Sequence, residues 1–75
     1  MEQLMGTLYL TEPYSVVKRE GEALRVQIPA RQGSEARMVR VPLIKVDQVV
    51  VLGEITLTAS ALHMLLEQRI AIHYL

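Results

Sequence analysis

No cysteine occurs in this chain, nor any phenylalanine or tryptophan; three tyrosines are its only aromatic residues. Without cysteine there is no disulfide staple and no thiolate metal site. With aromatics at 4% against 51% hydrophobic residues, the core has to be built from Val, Ile and Leu. No apolar run approaches the roughly 18 residues that a membrane-spanning helix needs. The start, Met1-Glu2-Gln3-Leu4-Met5-Gly6, has no basic stretch followed by an apolar one, so no secretory signal is expected. Met1 and Met5 are both candidate starts. Charge of one sign is missing too: eight Lys and Arg balance eight Asp and Glu, so no global field argues for nucleic acid. These absences leave one small cytoplasmic domain of 75 residues. At that size a single core is only marginally stable, and the chain is expected to lean on a second subunit or on more polypeptide.

What is present is organised around its last 28 residues. Val49-Val50-Val51-Leu52 is an unbroken apolar run, punctuated by Gly53-Glu54. A short extended piece follows, Ile55-Thr56-Leu57, then an amphipathic helical pattern from about Ala59 to Arg69 and a second apolar run, Ile70 to Leu75. A β-branched run without alternation predicts a strand buried on both faces. The segment between the runs is long enough for a crossover, so two runs in one sheet should be parallel, joined right-handedly with the helix on that sheet.

Upstream, Thr7 to Thr11 alternates as a first strand, interrupted at Glu12-Pro13-Tyr14 because proline offers no ladder donor. Ser15 to Arg19 reads as a second strand with Val16 and Val17 on opposite faces. Glu20-Gly21-Glu22 is a hairpin turn, and Leu24, Val26 and Ile28 then alternate cleanly with Arg25 and Gln27. Pro29 to Ala36 is a polar loop, expected to be mobile at Gln32-Gly33-Ser34. Met38 to Val41 forms another strand, ended by Pro42. The expected fold is α+β and mainly β: a β-sandwich-like domain of six or seven short strands with one α-helix packed on a sheet.

The helix shows Ser60, His63 and Glu67 on one polar stripe after a threonine N-cap, Thr58. Its remaining surface, with Leu62, Leu65 and Leu66, is wide enough to touch a second apolar surface as well as the sheet. Catalytic chemistry is nearly absent. The only bases near neutral pH are His63, solvated on the polar stripe, and His73, a hydrogen-bonded or interface histidine of the last strand. Neither has carboxylates at ligand spacing, and no Gly-rich phosphate loop exists. Glu20 and Glu22 flank a turn glycine as a solvated hairpin tip. No catalytic and no metal-binding residue is expected.

Basic residues concentrate in one segment. From Pro29 to Asp47, Arg31, Arg37, Arg40 and Lys45 outweigh Glu35 and Asp47, giving +2, with −1 on each flank. Arg37 lies on the opposite strand face from Arg40. The segment is either an edge strand guarded by charges or a contact for nucleic-acid phosphates beside a more basic partner.

The ordered set Thr7-Leu8-Tyr9-Leu10, Lys18 to Val26, Val41 to Gly53, Ile55 to Leu62 and Ile70 to Leu75 resembles the CRISPR adaptation integrases, the first-numbered Cas proteins. The most telling string is Pro42-Leu43-Ile44-Lys45-Val46-Asp47-Gln48 followed by the apolar run and Gly53. The resemblance covers roughly Thr7 to Leu75, as that family's N-terminal domain alone. Ala71 stands where many relatives have proline, and the Pro29 to Ala36 loop is longer than in compact members.

The resemblance implies a small β-rich domain, residues 1–75, forming much of a two-fold dimer. It also implies a helical catalytic domain, absent here, that uses Mg2+ or Mn2+ to insert spacers into DNA as an endonuclease and integrase of prokaryotic antiviral defence. Implied partners are a second copy, a second CRISPR adaptation subunit and DNA; no membrane is implied. Tyr14 is the positional match for an aromatic set against splayed duplex ends, with a packing lid as its other reading. Arg37, Arg40 and Lys45 join it as DNA-binding candidates. Val16, Val17, Ile72 and Tyr74 are the dimer-interface candidates. The alternative is a free-standing oligomeric β-module with a binding or regulatory role; a small enzyme has only the two histidines behind it.

Overall fold

A computed structural model describes residues 2–4 and 6–75, with the first strand, Glu2–Leu4, given by its backbone alone. The candidate starts Met1 and Met5 lie outside the described residues. The strands are β1 (Glu2–Leu4), β2 (Thr7–Leu10), β3 (Val16–Glu20), β4 (Ala23–Ile28), β5 (Arg37–Pro42), β6 (Gln48–Val51), β7 (Thr56–Leu57) and β8 (Ala71–Tyr74). A 3-10 turn, Leu43–Lys45, follows β5, and the one α-helix among the described residues, α1, runs Ala59–Glu67. The expected mainly β domain with one helix is thus found, with eight strands where six or seven were expected. The additional strand is β1, too short to show a period.

Two four-stranded sheets form, in the orders β1-β2-β6-β8 and β5-β4-β3-β7. The two apolar runs pair in parallel as expected, Val49 opposite Ile72 and Val51 opposite Tyr74. Between them the chain crosses to the other sheet, where β7 pairs in parallel with β3, before entering α1. The helix packs against β3 as well as β8, closing the space between the sheets rather than lying on one of them.

One core joins both sheets and the helix. Leu8, Leu10, Val49 and Val51 come from the first sheet, Val17, Leu24, Val26, Ile28 and Val41 from the second, and Ala61, Met64 and Leu65 from α1. Burial on both faces, expected for the two apolar runs, is not what they have. In β6 only Val49 and Val51 are buried, because the sheet has just one face on the core. β8 is an edge strand, with Tyr74 62% exposed. Aliphatic composition there reflects β-propensity without full burial.

Both helix ends are specified locally. Thr58 Oγ1 accepts from the Ala61 N–H at 3.3 Å, the expected N-cap. The helix ends at Glu67 rather than near Arg69. Ile70 N–H donates to Leu65 O at 2.9 Å and Arg69 N–H to Leu66 O at 3.0 Å, with Arg69 at φ 58. That is a Schellman cap with arginine in the left-handed position that glycine usually fills, and with Ile70 and Leu65 both buried. The 29–36 loop contains a tight turn. Arg31 and Ser34 exchange backbone hydrogen bonds of 2.9 and 2.8 Å around Gln32-Gly33, with Gly33 at φ 83. That mutual pair closes residues 31–34 into a hydrogen-bonded turn.

Candidate nucleic-acid interface

The turn between β2 and β3 is built around Tyr14. Ser15 N–H and Oγ both donate to Glu12 O, at 3.3 and 2.8 Å, closing the turn Glu12-Pro13-Tyr14-Ser15. Proline in the second position and a positive φ in the third are the type II form, whose third position favours glycine. Here Tyr14 occupies it at φ 65, with its N–H donating to Glu54 O at 2.6 Å. A bulky residue in that conformation is unfavourable unless its surroundings over-determine it. Two independent hydrogen-bonded anchors do so, and the residue stays 68% exposed. A packing lid would be covered; this ring is presented to solvent.

Arg37, at the start of β5, reaches the same turn. Its Nη2 donates to Glu12 Oε1 at 3.2 Å, across an exposed ion pair worth at most about 1 kcal/mol. Glu12, Arg31 and Arg37 also line an open, mainly polar cleft of about 450 Å3. Arg37 is therefore tied, through Glu12, to the turn that carries Tyr14. Arg40 is not with them: it stands opposite Arg25 on the outward face of β5, whereas Arg37 stands opposite Ile28. Lys45 is exposed at the end of the 3-10 turn.

Two cations that sequence reasoning passed over, Lys18 and Arg25, join Arg40 in one cross-strand row. The signal was available. All three occupy polar positions of alternating strands, and the two-residue turn Gly21-Glu22 sets the register of the first two, Lys18 and Arg25. Glu54 was missed as well, because it contributes only its carbonyl, which no sequence pattern marks.

The interface candidates do not form one surface. Val16 is half-buried on the outward side of β3, while Ile72 and Tyr74 belong to the other sheet. Val17 is 0% exposed and lies opposite Val26 in the core, so it has no surface to offer a partner. Period-two alternation puts it on the inner face. Ile72 packs in part against the core, leaving Tyr74 the exposed member of that pair.

His63 and His73 are both exposed, on α1 and β8 respectively. The larger cleft, about 620 Å3 between the β3–β4 hairpin and the end of α1, is lined by neither. Among the described residues no three His, Cys, Asp or Glu side chains gather as metal ligands. The residues here do not fit the divalent ion implied by the resemblance. Among them, no helix is long and apolar enough to cross a membrane.

The model of the family described as CRISPR associated protein Cas1 matches residues 8–75. The chain belongs to the Cas1 family. A curated relative, the CRISPR-associated endonuclease Cas1 3 of Thermus thermophilus, is 30% identical over 71 residues, covering 95% of this chain. The chain spans only 20% of that relative's length. Among solved structures, a Cas6-RT-Cas1–Cas2 complex superposes on the whole of this chain with TM-score 0.75 at 22% identity, using 8% of its own chain. A casposase bound to integration product superposes with TM-score 0.70 at 19% identity, over 95% of this chain and 21% of its own. At those identities the two structures establish a shared Cas1-type fold.

Proposed function

We propose that this chain acts as the N-terminal dimerisation and DNA-positioning domain of a Cas1 spacer-acquisition integrase of the prokaryotic cytoplasm. The observation that carries the DNA part is Tyr14, an exposed ring fixed in a backbone conformation that tyrosine rarely adopts. Strain maintained by two anchors, with no packing return, points to a functional constraint. The ring would stack on a terminal base where duplex strands splay, with Arg37 beside it for a phosphate. Relatives support the setting: one is named an endonuclease, one structure contains Cas2 and one an integration product. In this reading a helical catalytic domain, a divalent metal and a Cas2-type partner belong to the rest of the protein. The mechanism of this part is geometric: a two-fold pair of domains holds two catalytic units at fixed separation on one DNA.

Tyr14→Gly tests the DNA role against a packing role. Glycine suits φ 65, so the melting temperature should hold or rise, while affinity for a duplex with splayed ends falls about 5- to 150-fold, the equivalent of 1–3 kcal/mol of stacking. Unchanged affinity sinks the stacking role, and a clear loss of stability makes the ring a packing residue. For the dimer, light scattering should find a mass twice that of the 8.5 kDa chain at low micromolar concentration. A monomer there removes the dimerisation role from this domain.

A further inference from the structure

The outward face of the β3–β4–β5 sheet carries its cations in a single file. The register sets Lys18 directly opposite Arg25, and Arg25 directly opposite Arg40. Their neighbours Val17, Leu24, Val26 and Val41 all point into the core, so the three cations point away from it. With strands about 4.8 Å apart, the row spans about 10 Å. Like charges directly opposite one another destabilise a sheet, so packing alone gives no reason for this arrangement.

One acid shares the face among the described residues. Glu20 Oε2 is 3.7 Å from Arg25 Nη1, and Glu20 Oε1 is 3.7 Å from Arg40 Nε. Those separations are too long for the charge-assisted hydrogen bonds of about 2.8 Å that a guanidinium makes with a well-seated oxyanion. The pairs are also 42–55% exposed, hence screened and readily exchanged. Lys18 has no ion-pair partner among the described residues, and Arg25 Nε is buried without a hydrogen-bond partner. Three cations against one carboxylate leave +2 on this face of a chain whose total is zero.

We propose that the Lys18–Arg25–Arg40 row is a track for the phosphates of a nucleic-acid strand, and that Glu20 is its built-in competitor. The proposal rests on the DNA-positioning role above but uses a different face. A phosphodiester strand presents anions in file, matching the row, and guanidinium forks seat phosphate oxygens closely. β5 is the open edge of its sheet, with Arg37 on one face and Arg40 on the other. A strand leaving Tyr14 past Arg37 can therefore turn over that edge onto the row. Glu20 holds the guanidiniums apart from each other while the face is empty and is displaced when phosphate arrives. It sets the affinity low enough for release.

The test is fluorescence anisotropy of short labelled single-stranded and duplex DNA with the 75-residue chain over a salt series. Lys18→Gln and Arg40→Gln, both exposed positions, should weaken binding and each flatten the log-affinity against log-salt slope by about 1. Glu20→Gln should do the reverse, strengthening binding about 3- to 10-fold at low salt through removal of one opposing charge. Circular dichroism confirms that each variant is folded. A folded Glu20→Gln whose affinity is unchanged or lower overturns the proposal, because a purely structural carboxylate predicts no gain. Equal competition by polyglutamate overturns it in favour of an acidic protein partner. If Tyr14→Gly weakens splayed-end binding while the row variants do not, the row fails and the Tyr14 role stands. Row effects without a Tyr14 effect show the opposite.

Discussion

Val17→Asp should leave the domain unfolded at 25 °C, while Val16→Asp, one residue earlier, should change its stability by no more than about 1 kcal/mol. The two side chains lie on opposite faces of β3. Val17 is completely buried between Val26 and the helix-covered core, and nothing polar there could pair a carboxylate. A lone charge transferred to such a site costs several kcal/mol even after relaxation. A domain of this size has only about 3–5 kcal/mol to lose. Val16 faces outward beside Gln27 and Thr56, where a carboxylate stays hydrated. Urea titration followed by far-UV circular dichroism compares them; two folded variants would contradict the burial of Val17. The pair also assigns the dimer surface, since Val16→Asp should reduce self-association without altering the spectrum if the outward face of β3 takes part.

Gly6→Val should cost about 2–4 kcal/mol, combining left-handed backbone strain with the weakening of one backbone hydrogen bond. Gly6 sits at φ 85, and a Cβ there would run into the Asp47 carboxyl group. The Gly6 carbonyl accepts from Asp47 N–H at 2.6 Å and from Gln48 N–H at 3.3 Å, and Gln48 Nε2 then donates to Thr7 Oγ1 at 2.9 Å. The glycine thus fastens the start of β6 beside β2, and a branched side chain would push the two apart. Asp47 is exposed, so its carboxylate can swing clear, but the backbone strain cannot be moved elsewhere. A fall in melting temperature of roughly 8–32 °C is expected at about 4–8 °C per kcal/mol. Gly33→Val is the control for backbone strain alone, since Gly33 also has a left-handed φ of 83 but no atom lies within 4 Å of its Cβ position. Equal small shifts for both would remove Gly6 from its fastening role.

Much of this fold was legible because β-period and turn chemistry agree in the chain. The Gly21 turn, the alternation of Leu24, Val26 and Ile28, the Thr58 cap and the parallel pairing of the two apolar runs all follow from local pattern. The boundary at Glu67 did not, because Arg69 takes the left-handed position that normally announces itself as glycine. Burial of the runs was overestimated because Val and Ile serve equally in a one-sided sheet and at its edge. At the site, Tyr14 was visible as an interruption beside proline, but its strain and exposure depend on Glu54, forty residues on. The basic row stayed hidden behind a charge count along the chain. Lys18 and Arg25 fall in a segment of net −1, yet folding sets them beside Arg40 with Glu20 as the one acid of that segment on their face.

Strand order also sets a timetable for synthesis. β3, β4 and β5 are joined in sequence by a turn and a loop, so their antiparallel sheet can pair as soon as residue 42 is available. β2 has such a neighbour only in the three-residue β1, with which it pairs antiparallel. Its central partner is β6, with Thr7 meeting Gln48, and β6 in turn acquires β8 only with the last residues. A nascent chain therefore carries Leu8 and Leu10 uncovered while some forty further residues are added. A three-stranded sheet is complete first on the side that bears the cationic row, and the sheet at the N-terminus, begun by β1 and β2, is the last to close.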